Sequence, residues 1–262
     1  MSPMRRIRFY VNGGKPQAEE TKARFADVLR RLGIVEVDDG SEEAIVSLGG
    51  DGTILRAVHQ FPGIPILGFN LGGLGYLASV ETRDFTMAFE RLATGRFQIS
   101  ERRLVEAEGR FAALNDVVVI RDGSGHSVHL DLEADGKRVT RYMADGLIFA
   151  TPTGSTAYSL AAGGPVLMPD SSSFVVTPIN PHALGVRPLV IRDGAAFTVV
   201  VHDRVEGGVG VYADGEKVMS LGAGDRVRIA KSSKSAKLIA LEGYDPYDVL
   251  ARKLGWSGSN VR

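Results

Sequence analysis

Residues 44–61 read AIVSLGGDGTILRAVHQF. The run AIVSL has the length and β-branched content of a short buried strand. TILRAVHQF is a helical run and stops at Pro62-Gly63. Between them stand three glycines around one carboxylate, Asp51. Strand, glycine turn and helix make half of a βαβ unit. The turn then lies at the carboxyl end of a parallel strand, where open α/β sheets bind ligands.

The same alternation extends outward. RIRFYV (residues 6–11) reads as a first strand, followed by NGGK and a helix over 18–32. Ala23, Ala26, Leu29 and Leu32 line one face of that helix, and Gly33 ends it. PILGFN (65–70) is a further strand, the Gly72-Gly73-Leu74-Gly75 turn follows, and Arg83 to Ala93 reads as a helix. Strand–helix–strand–helix order predicts a parallel sheet with right-handed crossovers.

Near residue 95 the pattern changes to short strands with turn punctuation. VEAEGRFAALNDVVVIR (105–121), FTVVVH, GVGVYA, DRVRIA and AKLIAL are strand-like. Asp135-Gly136, Asp193-Gly194 and Asp214-Gly215 stand between β-rich runs as hairpin signals. An all-β sandwich is expected here. The basic KSSKSAK (231–237) reads as a solvated hairpin turn. PYDVLARKLGW (246–256) returns to helix and is expected to pack on the first domain. The expected division is residues 1–95, residues 96–244, and a returning tail over 245–262.

Composition narrows the function. Of 262 residues, 44% are apolar and 24% charged, an ordinary globular balance. Lys+Arg and Asp+Glu are 31 each, so no basic field invites nucleic acid. The absence of cysteine removes disulfides, thiolate nucleophiles and Cys-based zinc sites. No apolar run approaches the roughly 18–20 residues of a membrane helix, and a cytoplasmic protein is expected. His59, His126, His129, His182 and His202 form no HExxH or HxxxH pair. His126 and His129 would point to opposite faces of a strand, so no metal site is expected. Ser155 lies in no GxSxG elbow.

Four segments carry candidate chemistry. In the first, Gly49, Gly50, Gly52 and Thr53 form a turn whose backbone N–H groups can approach phosphate oxygens at a helix N-terminus. It is neither a Walker A loop nor a dinucleotide GxGxxG. Asp51 either caps the helix or has a chemical task, such as accepting a proton or holding Mg²⁺. The second is LGGLGYL (71–77), a structural turn or a close approach to ligand. The third is Asn115-Asp116, either turn residues or a grip on ribose hydroxyls. The fourth runs from Asp145 through TPTGSTAYSLAAGGP to Pro165. It is either a hydroxyl-rich capping loop or the lining for a base and a sugar.

These four segments, in this order, resemble the NAD kinase family, and RKLGW (252–256) resembles its tail. GGDG alone is shared with lipid kinases and phosphofructokinases; TPTGSTAY is the specific part. The resemblance covers the chain from about residue 45 onward. It implies an N-terminal Rossmann-like α/β domain, a C-terminal all-β sandwich and a tail returning to the first domain. It implies transfer of the ATP γ-phosphoryl group, with Mg²⁺ arriving on the nucleotide, to the adenosine-ribose 2′-hydroxyl of NAD, giving NADP. Polyphosphate is the alternative donor. Asp51 would be the general base and Gly52 would share its contact. Tyr76 belongs to the matched turn. Asn115 and Asp116 would hold the nicotinamide side, and Asp145 would also contact NAD. Thr156, Ala157, Tyr158 and Ser159 would line the pocket, and Asn180 would touch it. A homodimer or homotetramer is implied, because family sites are completed by a neighbouring subunit. No nucleic acid or membrane partner is expected.

Two departures stand out. The family usually has Asn-Glu where this chain has Asn115-Asp116. Met143 stands where many members carry a basic residue, with His126 or Arg141 as possible substitutes. The competing readings are a non-catalytic NAD(P)-binding regulator and a GGDG kinase of another substrate. Asp51 argues against the first, and the polar TPTGSTAYS segment argues against a lipid substrate.

Overall fold

A computed structural model describes residues 1–11, 16–72, 75–78, 80–123, 127–202 and 207–256. The chain divides into two compact units. Unit 1 is Met1–Glu101 with the chain from Ala236, and unit 2 is Arg102–Ser235.

Unit 1 contains β1 (Arg6–Val11), α1 (Pro16–Leu32), β2 (Val35–Glu36), β3 (Ala44–Gly49), α2 (Asp51–Gln60), β4 (Ile66–Asn70), β5 (Val80–Glu81) and α3 (Phe85–Thr94). NGGK (12–15) lies outside the described residues. β1 pairs in parallel with β2 and β3, β3 with β4, and β4 with β5. Every residue of β3 and β4 is buried, which is why both read as mainly apolar runs, broken only by buried Ser47 and Asn70. α1 and α3 meet through an aromatic cluster. The Phe25 ring centroid lies 4.8 Å from that of Phe85, 5.2 Å from Phe69 and 5.3 Å from Phe89. α2 begins two residues earlier than its apolar spacing predicts. Gly50, in extended backbone, is its N-cap, and its carbonyl accepts from Thr53 N–H at 2.9 Å. Asp51 therefore sits in the first turn, where the helix dipole favours an acid, and it is not the capping residue.

β6 (Phe97–Ala107) carries the chain across the division. Then follow β7 (Phe111–Ala113), β8 (Asp116–Arg121), β9 (Val128–Ala134), β10 (Lys137–Ala144), β11 (Gly146–Ala150), α4 (Tyr158–Ala161), β12 (Ser173–Ile179), β13 (Leu189–Arg192), β14 (Phe197–Val201), β15 (Val209–Ala213), β16 (Glu216–Leu221) and β17 (Arg226–Leu241). One sheet of unit 2 runs β13-β12-β11-β8-β15-β16, with antiparallel pairing throughout. In the other, β10, β9, β14 and the start of β17 pair antiparallel in that order. Val119, Phe149 and Phe174 from the first sheet share one buried core with Leu132, Phe197 and Val227 from the second. Two antiparallel sheets over one core make a β-sandwich. The outer face of β8, β11 and β12 is covered too. Val118, Ile148 and Val175 pack with Ala162 and Leu167 from the segment after β11. That segment is TPTGSTAYSLAAGGP and its continuation, so the suspected pocket loop also roofs the sheet.

Two expectations are corrected. KSSKSAK is no turn; it lies inside the 16-residue β17. It has no Gly, Pro, Asn or Asp to reverse the chain. Lys231 is exposed and pairs with Asp193 at 3.0 Å, while Ser232 is buried. Asp193-Gly194 is no hairpin, because β13 pairs with β12 while β14 pairs with β9 and β17. The dipeptide turns the chain from one sheet to the other. The chain re-enters unit 1 inside β17, and its last described helix is α5 (Pro246–Lys253), capped by Asp245 accepting from Tyr247 N–H at 2.9 Å. Among the described residues no helix is long and apolar enough to cross a membrane.

Phe25 is fully buried, and truncating a large core aromatic costs about 3–5 kcal/mol. Phe25→Ala is expected to lower the unfolding free energy of unit 1 by that amount, read as a lower urea midpoint at unchanged slope. An unchanged midpoint would show that the aromatic cluster does not hold this unit together.

Candidate functional site

In unit 1 the two glycine loops are one assembly. The Asp51 carboxylate accepts from Tyr76 N–H at 2.7 Å through Oδ2, and from Leu77 and Ala78 N–H at 3.0 and 3.1 Å through Oδ1. A side chain at position 75 would meet this carboxylate, since a Cβ there lies 2.1 Å from Oδ1. Gly75 is thus a close-approach glycine. Leu71 N–H donates to the Gly49 carbonyl at 3.2 Å, and the Asn70 side chain accepts from Gly72 N–H at 3.0 Å. Gly73 and Leu74 of the expected LGGLG turn lie outside the described residues. A carboxylate offers about four acceptor positions. Three are taken here, and the one left on Oδ2 is held in a fixed direction.

Around Asp51, Gly49 closes β3, Gly50 and Gly52 are exposed, and Thr53 is buried in the first turn of α2. The half-buried Tyr76 ring lies under the Lys253 ammonium, 5.2 Å from its centroid. Burial, and then the Asp51 charge, raise the pKa of the Tyr76 hydroxyl. Lys253 was not among the sequence candidates; only the closure of the chain puts α5 beside this turn.

In unit 2, Asn115 and Asp116 stand where β8 begins. Asp116 is only 6% exposed. Burial, and then the charge of nearby Asp214, push its carboxyl pKa up to about 7. Asn115 Oδ1 is buried and has no hydrogen-bond partner among the described residues. The Asn115 carbonyl accepts from Thr151 N–H at 2.9 Å, and Gly154 packs so closely that a Cβ would lie 1.9 Å from that carbonyl oxygen. The Asn-acid pair and the TPTG segment, 36 residues apart in sequence numbering from Asn115 to Thr151, therefore touch through backbone.

Asp145, between β10 and β11, accepts from Arg121 Nε at 2.8 Å and from the Asn180 side-chain amide at 2.9 Å. These bonds, Arg121's first, hold its carboxyl below the usual carboxylate range. Asn180 is exposed and its φ is +45°. Arg121 supplies the cation here. Arg141 is turned to Asp131, which it grips at 2.7 and 2.8 Å, and Met143 is exposed. His126 lies outside the described residues.

The hydroxyls of TPTGSTAYS are largely used within the fold. Thr151 Oγ1 donates to the Leu114 carbonyl at 2.6 Å, Ser155 to Pro152 at 2.7 Å and Thr156 to Thr153 at 3.0 Å. Ser159 is fully buried, with its hydroxyl 2.8 Å from that of Thr177. What the segment presents outward is Tyr158, 43% exposed, with half-buried Thr156 and Ala157. The loop is thus both a capping structure and a surface, and the capping reading accounts for its serines. Among the described residues no group of three or more His, Cys, Asp and Glu side chains is placed to hold a metal ion.

An acid with a raised pKa keeps its proton in the folded chain where the unfolded chain has lost it. Stability from Asp116 is therefore greatest below about pH 4 and declines as pH rises toward about 7. Asp116→Asn removes that titration. Its stability relative to wild type is expected to improve by at least about 1 kcal/mol between pH 5 and pH 8, read from urea unfolding at both values. A pH-independent difference would mean that Asp116 ionises normally.

Comparison with known proteins matches both parts of the chain to one family. The ATP-NAD kinase N-terminal domain matches residues 7–97, and the ATP-NAD kinase C-terminal domain matches residues 114–241. The NAD kinase of Syntrophotalea carbinolica is 40% identical over 83% of this chain and 79% of its own length. That of Carboxydothermus hydrogenoformans is 37% identical over 84% and 83%. Among solved structures, yeast NADH kinase complexed with NADH superposes with a TM-score of 0.86 at 25% identity, covering 100% of this chain and 90% of that one. The NAD kinase from Archaeoglobus fulgidus in complex with ATP gives 0.82 at 26%, covering 97% and 100%. With both domains matched and relatives at this identity over most of its length, the chain belongs to the NAD kinase family.

Proposed function

We propose that this protein is an NAD kinase that transfers the γ-phosphoryl group of ATP to the adenosine-ribose 2′-hydroxyl of NAD, giving NADP and ADP. The observation that carries the mechanism is the Asp51 carboxylate, pinned by three backbone N–H groups with one acceptor position left on Oδ2. A carboxylate so oriented can accept the proton of an attacking hydroxyl without first reorganising. Phosphoryl transfer asks little else of a protein than positioning and charge stabilisation. The N–H groups of Gly50 and Gly52 at the α2 N-terminus suit the phosphates, with Gly49 at the end of β3 and Thr53, whose own N–H is closed on the Gly50 carbonyl, on either side of them. Mg²⁺ enters as the MgATP substrate.

We assign dinucleotide binding to unit 2. Asn115 and Asp116 hold the nicotinamide side, the buried Asn115 Oδ1 being an acceptor that lacks a partner among the described residues. Asp145, with Asn180, contacts the dinucleotide, and Thr156, Ala157 and Tyr158 form the surface against it. Ser159 supports that surface from beneath through Thr177. Polyphosphate is the alternative donor. The proposed assembly is a homodimer or homotetramer, and the proposed location is the cytoplasm.

Purified protein with NAD and MgATP is expected to form NADP, read with an NADP-specific dehydrogenase. Asp51→Asn keeps one side-chain oxygen for the Leu77 and Ala78 N–H groups and misplaces only the bond to Tyr76. It is expected to bind NAD and lose about 10²–10⁴-fold in turnover. Full turnover in that variant would remove Asp51 from the base role. Wild-type protein that binds NAD and forms no NADP would favour a regulatory binder, and replacing ATP by polyphosphate in the same assay identifies the donor.

A further inference from the structure

Asp214 stands outside every motif that points to the reaction. It is half of the Asp214-Gly215 turn between β15 and β16, with φ of +48° and +85°. Such left-handed pairs build tight hairpin turns, and Asn-Gly serves them as well as Asp-Gly. The turn therefore does not need a carboxylate. The structure gives the carboxylate other work. Asp214 accepts from Leu114 N–H at 2.8 Å, from Asn115 N–H at 2.7 Å and from Asp116 N–H at 3.4 Å. Its own N–H donates to the Asp116 carbonyl at 3.1 Å. Three successive N–H groups converging on one anion form a nest, of the kind that usually receives a bound anion. Here a side chain 98 to 100 residues away fills it.

The nest holds the residues that open β8. Asn115 keeps a buried, unpartnered acceptor and Asp116 a buried carboxyl. Both arrangements are costly, and a backbone free to shift would turn these groups toward water or another partner. The Asp214 charge also helps keep the Asp116 carboxyl protonated. We infer that Asp214 is a positioning residue for dinucleotide binding, its carboxylate locking the Leu114–Asp116 backbone so that Asn115 and Asp116 meet the substrate in one geometry. This rests on the assignment of those two residues to NAD. Asp214 itself touches no substrate in this account.

The test compares steady-state constants of wild type, Asp214→Asn, Asp214→Glu and Asp135→Asn. Asp214→Asn keeps a turn-competent residue and one oxygen for the Asn115 and Asp116 N–H groups, but it removes the negative charge that draws the three N–H groups together and sets an NH₂ against the Leu114 N–H. Asp135 is the matched control: it sits at φ +51° in its own Asp-Gly hairpin and accepts from Ala196 N–H at 2.9 Å, away from the 114–116 segment. Asp214→Asn is expected to raise KM for NAD by about tenfold or more while KM for ATP stays within about twofold of wild type. Asp135→Asn should leave both constants unchanged. Asp214→Glu keeps the charge and moves it by roughly one C–C bond, about 1.5 Å, and its KM for NAD should also rise, so it carries the test if the Asn variant does not fold. A KM for NAD within about twofold of wild type in the folded Asp214 variants, or an equal rise for ATP and NAD, would overturn the inference. Wild-type protein that makes no NADP would instead sink the kinase reading, which the same measurements reveal first.

Discussion

The Asp51 carboxylate bonded to the Tyr76, Leu77 and Ala78 N–H groups is the contact on which the functional part of unit 1 depends. A buried N–H without a partner is costly, so a turn with three of them needs an anion or another acceptor. Asp51 supplies it from the first turn of α2, and Gly75 has no side chain to obstruct it. One bond set thus fixes two loops and gives the acid a single direction. Of the two readings of GGDG, the helix cap falls to Gly50. The Asp51 carboxylate instead ties down the turn that holds Tyr76, Leu77 and Ala78, and those bonds orient it.

Unit 2 uses the same device. Asp214 fills the nest of Leu114–Asp116, and Asp145 is held between Arg121 and Asn180. In each case a carboxylate supplied by a turn secures backbone or polar groups contributed by another part of the chain. Charge-assisted hydrogen bonds of this kind are shorter and stronger than neutral ones, and they suit a place where a ligand must meet polar atoms already in position. The cost falls on Asp116, which is buried near another acid and holds its proton up to about pH 7.

Much of this was legible in the chain because the signals were local. Strand and helix periods in residues 1–95 placed β1, β3, β4, α1 and α3 to within a few residues. Asp135-Gly136 and Asp214-Gly215 did form hairpin turns. Asp193-Gly194 and KSSKSAK misled for the same reason: turn residues and charge report local preference, whereas the partner strand decides whether a segment reverses, crosses or continues. The serines of TPTGSTAYS pointed to a ligand lining, yet Ser155 and Ser159 close hydrogen bonds within the fold. A hydroxyl looks the same in sequence whether it faces a ligand or a carbonyl.

By itself the sequence determined the α/β order, the switch to short strands, the strand–turn–helix around Asp51 and the family resemblance carried by four motifs. These rest on periodicity, turn chemistry and residue type, which neighbours in the chain set. Only the tertiary structure decided what the acids do. Asp51 and Tyr76, Asp214 and Asn115, Arg121 and Asp145, and Lys253 and Tyr76 are separated by 24 to 177 residues in the chain numbering. A hydrogen bond or cation–π contact needs partners within a few ångströms, and over such separations no sequence period encodes that distance.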